Sequence, residues 1–266
     1  MYNDTRITLI ECTNKGNPRA AAELLVFAKS TRLNMSPDKL VKLALWTDEA
    51  ILNELEAIAS TIPSSWEFLD YTFMIENVTR AFTHQFVRTR HASFAQQTMR
   101  VLDMTTGMGW GFGTGPSIPF ESEADDLYRQ HMYATNETYK KLISLGVNIE
   151  DARGVLPTNI HTNILVKMNL RTLVETVRKR SSPRVQGEYR HVLEQMTKAA
   201  IEEHPWLHLF FDRTEDALRE KLYREIEELT TPLIGPDGEK MHWPDNILSE
   251  QRLKMIKLVD ELFGRI

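Results

Sequence analysis

The chain changes character at Glu67. From there to Asn77 it reads EFLDYTFMIEN, dense in aromatic and β-branched residues, whereas Arg19–Ala28 and Asp38–Ala59 before it carry apolar residues at helical spacing. A strand set behind a mostly helical opening constrains the fold more than any bulk property does. Arg6–Glu11, Phe94–Met104 and Asn159–Met168 also read as strands, with the turn-rich NKGNP after the first. Thr79–Val87 reads as a short helix. Glu121–Leu145, Asn169–Arg180 and Pro183–Glu203 return to helical spacing, the last two divided by a Ser-Ser-Pro break, with Pro183 in a first-turn position. Asp125 and Asp126 early in 121–145 and lysines near its end complement a helix dipole. No internal repeat, low-complexity tract or linker is evident, so a single α+β domain over 1–266 is expected. From about residue 205 it would continue as a helical extension broken by the loop LIGPDGEKMHWPDN.

A hydrophobic content of 42% with 26% charged residues allows a sizeable core. The formal charge of −5 and pI of about 5.9 argue against a general nucleic-acid coat and favour small anionic ligands met by local arginine clusters. Cys12 is the only cysteine, which excludes an intramolecular disulfide, a cysteine-rich zinc site and a CxxC pair, and it is expected to pack in or beside a strand. The opening MYNDTRITLIECTNKG has no basic region leading into an apolar run, and no window approaches the ~18 uninterrupted apolar residues of a membrane helix. A soluble, cytoplasmic protein without a membrane partner is the expectation.

Two segments carry the chemistry. Gln85–Arg100, QFVRTRHASFAQQTMR, brings Arg88, Arg90 and Arg100 together with Ser93, Thr98 and three glutamines. A guanidinium is a planar fork of donors suited to phosphate, and hydroxyls and amides complete such a cradle. The second segment, Asp151–Arg190, contains a helix with Asn169 and Arg171 in its first turn and Glu175, Arg178 and Arg180 further along. Polar groups at such a start can bind an anion or an amide-rich ring. The competing readings are a solvated basic face and a helix whose arginines snorkel outward. The glycines at 107, 109, 111, 113 and 115 do not give GxGxxG opening a helix, and the loop around Trp110 and Phe112 reads as a lid or substrate loop. His204 and His208 would share a helix face as metal ligands do, but Pro205 between them and the lack of a third ligand favour packing, so no metal is expected.

Together these segments resemble the flavin-dependent thymidylate synthases (ThyX). That signature, an RHR triplet followed at fixed spacing by polar residues and an arginine, is filled here by Arg88-Thr89-Arg90, then Ser93, Ala95, Gln96, Thr98 and Arg100. The second stretch supplies Ala152-Arg153, Leu156-Pro157, Asn169-Leu170-Arg171, Arg180 and Gln186-x-Glu188. Thr89 stands in place of the triplet histidine, Ala95 of asparagine, Gln96 of an acidic residue and Thr98 of the second serine. Gln96 keeps a hydrogen-bond acceptor, and Thr98 keeps the hydroxyl.

The resemblance implies an antiparallel sheet flanked by helices, assembled as a homotetramer with flavin sites shared between subunits. It implies that Arg88, Arg90 and His91 contact FAD from one chain and Asn169, Arg171 and Glu175 from another, with Ser64 and Thr31 near further cofactor positions. Gln85, Thr98, Arg100 and Arg153 would hold a nucleotide monophosphate, with Gln96 near the sugar and Arg180, the catalytic candidate, at the pyrimidine ring. The implied reaction is one-carbon transfer from methylenetetrahydrofolate to C5 of dUMP, giving dTMP, with NADPH as reductant. Hydroxymethylation or another one-carbon modification of dUMP or dCMP stands beside it. So does a non-catalytic protein that binds a nucleotide or single-stranded nucleic acid, with Phe86 and Phe94 stacking on bases.

Overall fold

Strands β1 (Arg6–Cys12), β2 (Asp70–Thr79), β3 (Ala92–Gln96) and β4 (His161–Asn169) pair antiparallel in the order β1-β2-β4-β3. This is seen in a computed structural model that describes residues 5–30, 36–61, 63–100, 111–115, 117–180, 186–211, 233–234 and 240–241. The register explains the burial. Leu9, Phe73, Val166 and Phe94 lie in one row across the sheet, with Ile7, Ile75 and Ile164 in the next row on the same face. Phe73, Ile75, Ile164 and Val166 are fully buried there, each contributing about 1.5–3 kcal/mol of apolar burial. The alternate row, Thr8, Met74, Leu165 and Ala95, points to the opposite face and is half-buried or exposed, as a period of two requires.

Helices α1 (Pro18–Lys29), α2 (Pro37–Leu43) and α3 (Asp48–Ala59) fill the connection between β1 and β2. The helical span expected over Asp38–Ala59 is two helices, because Thr47 accepts a hydrogen bond from Ala50 N and Asp48 and Glu49 follow in the first turn. Asn17 caps α1 in the same way. The strand expected from Glu67 starts at Asp70, residues Pro63–Phe68 forming a 3-10 turn. The strand expected over Phe94–Met104 is shorter and earlier, since its pairing with β4 ends at Gln96; residues 101–104 lie outside the described residues.

Helix α4 (Arg80–Phe86) follows β2 directly, with the Thr79 hydroxyl accepting from Phe82 N. α5 (Glu123–Ser144) is capped by Ser122, and α6 (Ile149–Ala152), α7 (Leu170–Arg180), α8 (Gly187–Glu203) and α9 (His208–Phe211) complete the first unit. The described end of the glycine-rich loop is docked. Phe112 bridges Ile160, Gly111 O accepts from His161 N, and Gly113 N donates to Asn159 O. A Cβ at Gly111 would overlap the His161 ring and one at Gly113 the Thr79 methyl, so glycine is needed for this close approach. Trp110 and the glycines at 107 and 109 lie outside the described residues.

His204 is a buried packing residue, stacked on Trp206, while His208 is exposed and hydrogen-bonded to Pro205 O. Burial lowers the His204 pKa and raises that of Tyr71 well above its usual value, and the Tyr71 hydroxyl shares a 2.8 Å hydrogen bond with His204 Nδ1. The other ring nitrogen, Nε2, lies 4.0 Å from Cys12 Sγ. Cys12, Glu203 and His204 are thus close enough to suggest a metal centre. Yet the imidazole already has a partner on each side, Glu203 accepts from Gly16 N, and the Cys12 thiol is pushed up to about 11 by burial.

The chain divides into two units, 1–211 and 212–266. In the second, the backbone of strands β5 (Leu233–Ile234) and β6 (Lys240–Met241) is described, and these pair antiparallel within the segment expected as a loop. The expected helices of that region fall outside the described residues. No described helix is long and apolar enough to cross a membrane.

Candidate active site

The end of α4 and the last turns of α7 wall a cavity of about 410 Å³. A tight turn brings the first group of side chains there: Val87 N bonds Thr83 O, Arg88 N bonds Gln85 O and Thr89 N bonds Phe86 O. His91 follows at φ 59, a left-handed conformation costing a non-glycine residue about 1–2 kcal/mol, and it sends the chain into β3. Arg88, Arg90 and His91 therefore line the cavity with Gln85. Across from them stand Glu175, Lys179 and Arg180 of α7 and Tyr189 of α8. The two segments singled out in the sequence meet within a single chain.

The charges in this cavity do not balance. Glu175, the carboxylate there, is held by Arg171 Nε at 2.8 Å and Lys179 Nζ at 3.2 Å, contacts that lower its pKa. The Arg88 and Arg90 side chains have no hydrogen-bond or ion-pair partner among the described residues. Arg180 lies over the Tyr189 ring at 5.1 Å. Three guanidinium groups thus face a cavity whose carboxylate is already neutralised, a donor set that fits an anionic ligand such as a dinucleotide pyrophosphate. At this volume a single chain encloses a site of ordinary small-ligand size.

Gln85 is fixed from behind. Its Nε2 donates to Gln186 Oε1 at 2.9 Å, and Gln186 Nε2 reaches Glu188 Oε2 at 3.5 Å. Glu188 is 2% exposed and accepts from Thr79 N at 2.7 Å and from the Thr79 hydroxyl, tying the start of α8 to the cap of α4. Burial raises the Glu188 pKa against the opposing effect of those bonds.

A second cationic cluster begins at the other end of α4. Arg100 Nε lies 3.0 Å from Glu150 Oε1, and Arg153 Nη2 approaches the same oxygen at 3.6 Å. Arg80 has a buried Nη1 without a hydrogen-bond partner among the described residues, and its pKa is lowered by burial and then by Arg153. Gln85 lies five positions after Arg80, so one short helix, rising about 1.5 Å per residue, links the two clusters. Gln96 sits between them. The Thr83 hydroxyl donates to Arg80 O and must therefore accept from Gln96 Nε2 at 2.9 Å, which leaves Gln96 Oε1 as an acceptor without a partner among the described residues.

Of the other expected site residues, Thr98 Oγ1 accepts from Arg100 N and shapes the turn that carries this arginine. Asn169 caps α7, its Oδ1 accepting from Thr172 N at 2.9 Å, and Arg171 is engaged with Glu67 at 2.7 Å as well as with Glu175. Neither lines the cavity. Ser64 is exposed on the 3-10 turn, and Thr31 lies outside the described residues. Sequence reasoning missed Arg80, Glu150, Lys179 and Tyr189. Lys179 and Tyr189 adjoin Arg180 and Glu188, which the sequence singles out, but only the fold shows which way their side chains turn.

The family model described as thymidylate synthase complementing protein matches residues 13–206. A flavin-dependent thymidylate synthase of Pyrococcus furiosus is 40% identical over 138 residues, covering 50% of this chain and 56% of that protein. The enzyme of the same description from Sulfurisphaera tokodaii is 34% identical over 169 residues, 62% of this chain and 61% of the relative. One from Saccharolobus solfataricus is 30% identical over 212 residues, 76% and 74%. The chain spans somewhat more than half the length of the first two of these relatives.

Proposed function

The chain belongs to the thymidylate synthase complementing protein family, and from that membership we propose that it is a flavin-dependent enzyme transferring a one-carbon unit from methylenetetrahydrofolate to C5 of dUMP, with NADPH as reductant. The observation that carries the reading is the convergence of Arg88, Arg90 and His91 with Arg180 on one cavity. FAD fits the chemistry of that wall, where the Arg88 and Arg90 guanidinium groups, without a partner among the described residues, suit a pyrophosphate. Arg88, Arg90 and His91 would hold it together with Glu175 of the same cavity, and Asn169 and Arg171, which lie outside that cavity, would reach it from a neighbour in a homotetramer. When bound, the flavin supplies hydride chemistry that no side chain can.

The chain's own groups do the rest. Arg80, Arg100 and Arg153 receive the nucleotide phosphate, with the Thr98 hydroxyl as a neutral donor, while Gln85 at the far end of α4 would meet the nucleotide from the first cavity. A doubly charged phosphate needs such paired cations, because a buried unpaired charge costs several kcal/mol. Glu150 supports this assignment, since its carboxylate already rests between Arg100 and Arg153 as an oxyanion would. Gln96 presents its carbonyl oxygen towards a sugar hydroxyl, and Arg180 stabilises negative charge developing on a pyrimidine carbonyl.

A second reading, one-carbon modification of dCMP or a hydroxymethyl product, is favoured by one observation. The position of the family's acidic residue carries Gln96, whose remaining acceptor is uncharged. One experiment separates the two. The purified protein is incubated with FAD, NADPH, methylenetetrahydrofolate and either dUMP or dCMP, and the product is identified by mass. A methyl gain on dUMP supports the first reading, modification of dCMP or a hydroxymethyl gain supports the second, and no modified nucleotide refutes both.

A further inference from the structure

Tyr189, in the first turn of α8, is 1% exposed yet lines the cavity. Its ring packs edge-on against Phe82 at 5.1 Å and Phe86 at 5.8 Å, which fixes it to the core. The Arg180 guanidinium carbon sits 5.1 Å from the ring centroid, and Thr89, which lines the same cavity, and Arg180 are both near enough to the hydroxyl to offset part of the rise that burial gives its pKa. One side chain therefore touches the cation at the end of α7 and the residue between Arg88 and Arg90.

We infer that Tyr189 is the positioning residue for Arg180, its ring face and hydroxyl holding the guanidinium at the cavity wall while Thr89 orients the phenol. This rests on the reading that Arg180 meets the substrate ring. A free arginine side chain has wide rotamer freedom, and a guanidinium aimed at developing charge acts best when it is ordered beforehand. A cation over an aromatic face with a phenol hydroxyl beside it provides that order. Residue 89 is also where the sequence departs from the family's histidine. Threonine there offers the phenol a hydroxyl, so the departure and the buried tyrosine form one device. Burial raises the Tyr189 pKa and keeps the ring neutral, so it orients and does not act as a base.

The test uses the whole chain with FAD and compares wild type, Tyr189→Phe, Thr89→Val and Thr89→Ser. Tyr189→Phe retains the ring that Phe82 and Phe86 pack against, and Thr89→Ser retains the hydroxyl. The first readout needs no substrate: the rate at which phenylglyoxal modifies Arg180, followed by peptide mass, with Arg88 as internal reference. Tyr189→Phe and Thr89→Val are expected to speed modification of Arg180 several-fold relative to Arg88, and Thr89→Ser to match wild type. The second readout is turnover, where kcat should fall about tenfold in the first two variants with KM for the nucleotide within a factor of about two. Unchanged Arg180 reactivity in both Tyr189→Phe and Thr89→Val overturns the inference. A wild-type protein that turns over no pyrimidine nucleotide removes the proposed reaction instead, and the modification rates still decide whether Tyr189 holds Arg180.

Discussion

Replacing Glu150 with glutamine removes the one carboxylate described between Arg100 and Arg153, and the account predicts tighter binding of phosphate there. Both contacts are solvent-accessible, with Arg100, Glu150 and Arg153 side chains 66%, 45% and 34% exposed, so each ion pair is worth only about 0.2–1 kcal/mol. A nucleotide phosphate entering the wild-type cluster must displace both contacts, at a cost of about 0.5–2 kcal/mol, which corresponds to about 2- to 30-fold in affinity. Glutamine is the same size and leaves the Arg153 Nε bond to the backbone oxygen of residue 150, at 3.0 Å, untouched. The arginine therefore stays in place while its competitor loses its charge. Titration calorimetry with dUMP and with inorganic phosphate, at low and high salt, measures the effect. Affinity should rise in Glu150→Gln, and the gain should shrink as salt screens the exposed charges. An unchanged or weakened affinity at low salt refutes the argument that these arginines form the phosphate site.

Arg180→Ala should lower turnover at least ~100-fold while FAD stays bound, as judged by the visible flavin spectrum, and full activity in that variant would remove its catalytic assignment. Glu188 has its folded-state pKa raised by burial, so the folded chain binds its proton more tightly than the unfolded chain does. Its effect on stability is therefore most favourable below the ordinary carboxylate pKa and is lost as pH climbs through the raised value. Glu188→Gln should flatten that decline in melting temperature against pH; parallel profiles for the two proteins would show that the carboxyl does not titrate in this way. Gly111→Ala forces a Cβ into the His161 ring and should cost about 1–3 kcal/mol in chemical denaturation, whereas an unaffected midpoint would mean that the loop is not docked there.

The sequence revealed the central strand β2 through the density of aromatic and β-branched residues in EFLDYTFMIEN, and the fold supplies the alternation, with Tyr71, Phe73 and Ile75 buried between less buried neighbours. β3 was harder to place. Ala92–Gln96 is an edge strand of mixed polarity whose extent is set by its pairing with β4 and not by its own composition. The break before α3 was present in Thr47-Asp48-Glu49, a capping signal masked by continuous helical spacing across it. At the site, types and spacing disclosed the arginines around 88–100 and 153–180. They did not disclose that Glu150 would lie between Arg100 and Arg153, or that Tyr189 would turn inward onto Arg180, since those contacts join elements distant in the chain. Asn169 shows the converse: its place at a helix start was legible, but its side chain caps α7 and does not line the cavity.

The central claim is that the turn carrying Arg88, Arg90 and His91 forms, with Arg180, a wall against which a flavin and a pyrimidine nucleotide lie together. An experimental structure of the protein with FAD and dUMP tests it most directly. The account predicts the flavin against Arg88, Arg90 and His91, the pyrimidine ring against Arg180, and the phosphate among Arg80, Arg100 and Arg153 with Glu150 displaced. Either ligand bound elsewhere, or this cavity empty at saturating concentrations of both, would contradict it.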